Sequence, residues 1–341
     1  MRMASLGWLP AGILTMVLLL GAMPAHAQPA PFVIKFSHVV AFDTPKGKAA
    51  EHFRKLAEER TRGRVRVEVY PNSTLYKDKD ELEALQLGAV QMLAPSLAKF
   101  GVLGVREFEV FDLPFIFNDY ADLHKVTQGS IGEGLLKRLE TRGILGLAYW
   151  DNGFKQMSAN RPLRMPSDFK GLKMRIQPSQ ALEAQMRALG AVPHPMQFSD
   201  VAQALKVGIV AGTENPVSNF YTQRMHEVQK HLTISNHGYL GYAVIVNKKF
   251  WKGLPGDLRD ILEGAMRDAT QYANAIAKKE NDEALESLRK AGLTQILVLG
   301  EDEKRAWKKI LLKVHREQEA KIGRTLIEAI YRETGFRSED L

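Results

Sequence analysis

From Pro255 to Ala291 the chain keeps apolar side chains at helical spacing. Leu258, Ile261, Leu262, Ala265, Met266, Ala269, Tyr272, Ala273 and Ile276 recur at i, i+3, i+4 and i+7. Leu285 and Leu288 continue the stripe, and Gly292 supplies a C-terminal stop. At 1.5 Å per residue such a helix reaches roughly 55 Å. That is longer than one domain of a chain this size, so the spacing predicts a helix running across two domains. Gly264, Asn274 and the polar run from Lys278 to Asn281 are the expected points of bending, because they bring no apolar packing.

The first 27 residues are set aside from fold reasoning. Arg2 gives a positive start, Gly12 to Ala22 forms an apolar run, and Pro24-Ala25-His26-Ala27 ends in a small-x-small signature. This reads as a signal peptide cleaved after Ala27. The run falls short of the roughly 20 residues of a spanning helix, so a soluble exported or periplasmic protein is expected; an uncleaved anchor is the alternative. The remainder is long enough for two domains with cores of their own. No cysteine is present, which excludes disulfides and thiolate metal sites and leaves burial to hold the fold. The formal charge of +8 is spread along the chain, densest from Lys304 to Arg324. In an exported protein it favours anionic solutes or surfaces, not nucleic acid.

The fold class read from the pattern is α/β. Phe32 to Phe36, Val65 to Tyr70, Val90 to Ala94 and Leu145 to Trp150 read as strands. Helices from Pro45, from Asp80 to Leu87 and from Asp122 to Arg142 separate them, with an apolar loop at 113–117. The style repeats after residue 151, with strands at 172–177, 210–213 and 239–247. Helices are expected at 179–189, from an N-cap at Ser199, and at 305–330. Alternating strands and helices predict parallel pairing with right-handed crossovers.

Within this pattern Asp168-Phe-Lys-Gly-Leu-Lys-Met-Arg-Ile-Gln177 stands out. Leu172, Met174 and Ile176 alternate with Lys173, Arg175 and Gln177, and Pro178-Ser179 ends the strand and caps the next helix. Arg175 therefore lies near the carboxyl end of a strand, the edge at which open α/β sheets bind ligands. Its planar fork fits a carboxylate, although taken alone it also fits a solvated arginine. No zinc-binding His-Glu-x-x-His, phosphate loop, nucleophile elbow or dinucleotide fingerprint occurs. His231 and His237, six apart, make a weak metal pair, and no acid–base pair stands out. Neither a cofactor nor a catalytic residue is predicted.

Several stretches together carry a resemblance. They are Trp150-Asp-Asn-Gly-Phe-Lys-Gln-Met-Ser158, Asn160-Arg-Pro162, Asp168-x-x-Gly171-Leu-Lys-Met-Arg175, and Phe198-Ser199 followed by Gly212-Thr-Glu-Asn215-Pro216. In this order they resemble the solute-binding proteins of tripartite ATP-independent periplasmic (TRAP) transporters. Tyr70-Pro-Asn-Ser73, Ala94-Pro-Ser-Leu-Ala-Lys-Phe100 and Phe111-Asp-Leu-Pro-Phe115 look most like the branch that binds succinate, fumarate or malate. The resemblance implies a two-domain periplasmic-binding-protein-like fold with a ligand cleft and a long helix spanning both domains. Domain I is expected over 28–152 plus about 240–275, and domain II over 153–239 plus about 276–341.

The resemblance also implies roles. Arg175 would bind a carboxylate, Asn215 donate an amide, Lys155 stand where many relatives carry a second basic residue, and Phe198 wall the cleft. Ser96 and Asp78 would make polar contacts. Lys155, His38 or Lys46 would meet the second carboxylate, His38 being equally readable as a core histidine. Trp150 reads as core or cleft wall. The implied partners are a small carboxylate and the small and large membrane subunits of a transporter. Other organic acids, and a periplasmic enzyme on the same scaffold, are the competing readings.

Overall fold

Two strands far longer than the sequence pattern suggested form the spine of the molecule. A computed structural model describes residues 31–337; the expected signal segment and its expected cleavage point after Ala27 lie outside the described residues. The elements run β1 (Phe32–Ser37), α1 (Pro45–Arg60), β2 (Val65–Tyr70), α2 (Glu81–Leu87), β3 (Met92–Leu93), α3 (Tyr120–Thr127) and α4 (Ser130–Arg138). They continue with β4 (Ile144–Ala159), β5 (Lys173–Ile176), α5 (Gln180–Ala188), β6 (Val192–Pro195), α6 (Val201–Lys206), β7 (Gly212–Asn215), α7 (Val217–Thr222) and β8 (His231–Asn247). Last come α8 (Lys248–Gly253), α9 (Gly256–Ala291), β9 (Gln295–Val298), α10 (Glu301–Leu311), α11 (Lys313–Ile322) and α12 (Arg324–Thr334). Short 3₁₀ turns at Leu97–Leu103 and Arg106–Asp112 carry the chain between β3 and α3.

All strands join one mixed sheet in the order β2-β1-β3-β8-β4-β7-β5-β6, with β9 added alongside β8. Pairs β1–β2, β1–β3, β5–β6, β5–β7 and β8–β9 are parallel, as the alternation predicts. The β3–β8, β4–β8 and β4–β7 pairs are antiparallel. The antiparallel part follows from β4 and β8, which pair along most of their length and serve both halves of the sheet. The end of β8 pairs β3, while its start pairs β9; the end of β4 pairs β7. Between them the β4–β8 register shifts at Asp151/Gly153 and again at Lys155/Met157. Such irregularities bend strands locally. The sequence pattern missed this middle because residues 151–159 are buried on both faces and show no alternation.

The long helix forms as expected, over 36 residues. Leu258, Leu262, Met266 and Ala269 share a core with Ile34, Phe53 and Trp150. At the other end Ala284 and Leu288 pack with Phe198, Val201 and Phe220. Its polar positions are not loose. Asn274 Oδ1 accepts from the Asp151 amide (2.9 Å), and Asn281 Nδ2 donates to the Asn152 carbonyl (2.7 Å). Asn281 Oδ1 also accepts from the Ser218 amide at the start of α7. The approach is close enough that a Cβ on Gly153 would lie 2.7 Å from Asn281 Nδ2, which explains the glycine in the Trp150–Ser158 stretch.

Other expectations change in detail. The helical stretch at 122–142 divides into α3, α4 and a 3₁₀ turn, and that at 305–330 into α10, α11 and α12. Asp200, not Ser199, precedes α6. Ile327 and Ile330 of α12 share a core with Leu123 and Val126 of α3.

One contact matters for the site because α1 delivers Lys46. A Cβ on Gly47 would lie 2.4 Å from the Phe42 carbonyl oxygen and 2.5 Å from that of Ala41. Both are backbone atoms that cannot rotate away. Gly47→Ala is expected to destabilise the protein by about 1–3 kcal/mol, the range for overpacking, read as a lower urea midpoint at unchanged m-value. A midpoint equal to the parent's would show that the 41–47 turn yields freely.

Candidate functional site

Strand ends and loops from both halves of the sheet meet at one enclosed cavity. Its polar lining is Lys46, Asp78, Ser96, Lys99, Arg175, Gln177, Asn215, Asn219 and Tyr242; Val39, Val40, Phe198 and Leu240 complete the wall. The enclosed space is about 20 Å³, enough for one water. A larger open groove of about 950 Å³ lies between α4, β4 and α9, but it gathers no comparable set of buried cations.

Arg175 reaches the cavity from the end of β5. Only its neighbour Lys173 is exposed in that strand; Arg175 itself is buried. Its Nε and Nη2 both donate to the Met196 carbonyl, at 3.0 and 2.8 Å, and the guanidinium lies 5.6 Å from the Phe198 ring centroid. Burial lowers its pKa to about 10, against the attraction of Asp78 and Glu214, so it stays charged at neutral pH. No carboxylate is within salt-bridge distance of it among the described residues. Asn215 ends β7. Its Nδ2 contacts Thr213 Oγ1 and Met225 Sδ, and its Oδ1 has no partner; Asn219 Oδ1 has none either.

Lys46 comes from the first turn of α1. Thr44 caps that helix, accepting from the Gly47 amide at 3.1 Å, and Pro45 fits the first helical position. The fully buried ammonium donates to the Ala94 carbonyl at 2.9 Å and lies 3.7 Å from the Tyr242 ring centroid. Burial first, then repulsion from Lys99, lower its pKa to about 7, against the pull of Glu81 and Asp78. Lys99 is different: both Asp78 and Glu81 accept from it. Burial works against its charge, but these carboxylates outweigh it and raise its pKa. Asp78 also accepts from the Phe198 amide, which fixes the aromatic wall.

Six of the residues singled out in the sequence therefore line the cavity: Arg175, Asn215, Phe198, Ser96, Asp78 and Lys46. Asp78 does so as the counter-ion of Lys99. Three do not. His38 is buried beside Phe36, and neither ring nitrogen has a hydrogen-bond partner. Burial and then the Lys46 charge lower its pKa to about 3, so it is neutral. Trp150 is core, with Nε1 donating to Thr270 Oγ1 at 2.9 Å.

Lys155 requires correction as a ligand residue. Its ammonium is buried against Glu214 at 2.8 Å and Asp112 at 3.6 Å, within the sheet. His237 Nε2 contacts the other Glu214 oxygen at 2.9 Å. Burial alone would raise the Glu214 pKa; Lys155 and His237 outweigh it and bring the value to about 2. Burial raises that of Asp112 to about 7 despite Lys155. The expected basic residue is thus consumed in holding the Glu214-Asn215 strand. Lys99, Gln177, Asn219 and Tyr242 were not singled out. Lys99 lies inside the Ala94–Phe100 stretch and Gln177 inside the Arg175 strand, but nothing local marks Asn219 or Tyr242.

A profile of bacterial extracellular solute-binding proteins, family 7, also called DctP, matches residues 36–321. The chain belongs to this family. The C4-dicarboxylate-binding periplasmic protein DctP of Rhodobacter capsulatus is 65% identical over 309 residues, covering 91% of this chain and 92% of its own. A TRAP periplasmic solute-binding protein of Shewanella oneidensis, solved with bound succinate, superimposes with a TM-score of 0.87 at 43% identity, over 89% of this chain and all of its own. Another, from Pseudomonas aeruginosa with bound L-malate, gives 0.82 at 45% identity over 84% of this chain and all of its own. The mixed α/β sheet with its flanking helices is the architecture shared with these two-domain TRAP solute-binding structures, which hold bound ligands. Among the described residues no group of acidic and histidine side chains is placed to hold a metal ion, and no helix is long and apolar enough to cross a membrane.

The corrected role of Lys155 has a measurable consequence. Lys155→Met would leave Glu214 buried without its main counter-charge. Unpairing a buried ion of this kind costs about 3–5 kcal/mol, so denaturant unfolding at pH 7 should show a loss in that range. A loss below 1 kcal/mol would mean that Glu214 is satisfied without Lys155.

Proposed function

We propose that this chain is the periplasmic solute-binding component of a TRAP transporter, capturing a four-carbon dicarboxylate such as succinate, fumarate or malate and delivering it to the small and large membrane subunits. The observation that carries the reading is a pair of buried cations with unused donors on one cavity wall system. Arg175 has given two of its five N–H groups to a single carbonyl, and Lys46 has one carbonyl and one ring. A dianion needs two such ends. Arg175, with Asn215, would take one carboxylate and Lys46 the other, with Phe198 and Ser96 bounding the space between. The high identity to a C4-dicarboxylate-binding relative supports the same ligand class.

The chain acts by binding, without chemistry. The cavity holds about one water, and a four-carbon dicarboxylate is several times larger, so entry requires its walls to part. The proposed division places domain I at 28–152 with about 240–275 and domain II at 153–239 with about 276 onward, apart from α12. The register shifts near Asp151 to Gly153 are the hinge, and their tethers to Asn274 and Asn281 make α9 follow the motion.

A thermal-shift screen of organic acids tests the ligand. Succinate, fumarate and malate should stabilise the protein without being consumed; stabilisation by a sugar acid or aromatic acid alone would replace the ligand, and turnover would replace the class. Arg175→Lys should weaken succinate binding by about 2–5 kcal/mol, and Asn215→Ala by about 1–3 kcal/mol, in titration calorimetry. Unchanged affinity in either variant would move the ligand elsewhere. Small-angle scattering should show a more compact particle at saturating succinate, and superimposable curves at confirmed saturation would remove the hinge.

A further inference from the structure

The charges around the cavity do not balance with every group in its usual state. Lys99 is bound by Asp78 and Glu81, which leaves one excess negative charge. Arg175, attracted by Asp78, offsets it. Lys46, like Arg175, has no carboxylate within salt-bridge distance among the described residues, and the repulsion of Lys99 falls on Lys46. Its position is unfavourable in three independent ways. It is completely desolvated, it shares the pocket with a like charge, and it occupies the first turn of a 16-residue helix. That turn contains no acidic residue, and the helix dipole there opposes a cation. One carbonyl and the face of Tyr242 are all that face the ammonium directly.

A carboxylate placed beside Lys46 reverses each of these effects. It supplies the missing counter-charge, and it lies near the end of the helix that favours anions. We propose that capture of a dicarboxylate dianion draws one proton from solvent onto Lys46, so that ligand affinity is linked to pH through this ammonium. The inference rests on the function proposed above. The proton leaves a solvent or buffer acid, whose bond to it breaks to give the conjugate base, and forms an N–H bond to the Nζ lone pair; no covalent bond of the ligand or of another side chain changes.

The groups that face Lys46 from each packed element are few. His38 follows β1, Asp78 and Glu81 lie at the start of α2, Lys99 lies in the 3₁₀ turn at Leu97–Leu103, and Tyr242 lies on β8. His38 is neutral and too acidic as an imidazolium to take the proton near neutral pH. Lys99 is held charged by two carboxylates. Burial raises the pKa of Glu81 against the pull of Lys99, which makes it the competing acceptor. The free-protein pKa of Lys46, lowered to about 7, sets the window. Below that value Lys46 is already charged and no proton is needed. Above it, binding must restore the charge, so affinity falls as pH rises.

The test is calorimetric titration of the full-length mature protein with succinate at pH 6 and pH 8, in buffers of differing ionisation heat. Uptake should approach about one proton at pH 8 and vanish toward pH 6, and Kd should rise roughly tenfold per unit between pH 7 and 9. Lys46→Arg, charged throughout, should show no uptake at pH 8 and a flat Kd over this range. Binding by the parent without uptake overturns this proposal and leaves the dicarboxylate reading standing; absence of binding by any dicarboxylate overturns both. Uptake that persists in Lys46→Arg assigns the proton to Glu81 and overturns the Lys46 assignment. Should the arginine variant not bind, the free parent's thermal stability decides. It should increase from pH 7 to pH 10, as the unfavourable charge is lost, and Lys46→Met should lack that increase.

Discussion

Burying a charge away from water is unfavourable unless a partner replaces the lost solvation. Among the described residues four lysine and arginine side chains are buried, Lys46, Lys99, Lys155 and Arg175, each at most 3% exposed. Two are matched by carboxylates: Lys155 by Glu214 and Asp112, Lys99 by Asp78 and Glu81. Those pairs are framework. Arg175 and Lys46 are matched only by carbonyl oxygens and aromatic faces. The difference separates scaffold from site. A cavity that retains positive charge without a fixed negative partner is the feature on which the proposed anion site rests.

The scaffold that holds these cations is economical in its use of strands. β4 and β8 run through both halves of the sheet, so the two halves share backbone instead of merely touching. Side chains around the register shifts do the rest. Tyr239 OH donates to Asp151 Oδ1 at 2.6 Å, and His124 Nε2 contacts the other oxygen at 2.7 Å. The Asn274 and Asn281 amides tie the same segment to α9. Asn281 also holds the start of α7, which follows directly on the strand bearing Asn215. The strand bearing Asn215 is therefore connected to the register shifts of β4 through the hydrogen bonds of Asn281.

Parts of this were legible because their signal is local. The apolar stripe of α9 is a repeat that any helix must place on one face, and it was read to within a residue at each end. Arg175 was legible from the alternation of Leu172, Met174 and Ile176, followed by Pro178 and the Ser179 cap, which accepts from the Leu182 amide. The central parts of β4 and β8 were not legible, since strands buried on both faces lose their period of two. Two single helical stretches became five helices for a related reason: apolar periodicity persists across a short break at Gly129 or Gly323 and does not announce the turn.

The sequence by itself determined the α/β class, the long helix and the strand end that carries Arg175, because each depends on spacing or composition along the chain. Only the tertiary structure decided which basic residue does what. Lys155 and Lys46 are both lysines near apolar residues, and nothing adjacent to either in sequence tells them apart. Lys155 meets Glu214, 59 residues away, across a strand pair and becomes framework; Lys46 meets the Ala94 carbonyl, 48 residues away, and the Tyr242 ring, with no carboxylate within salt-bridge distance among the described residues. The role of a charged side chain is set by what neutralises it, and for a buried charge that partner comes from a distant part of the chain.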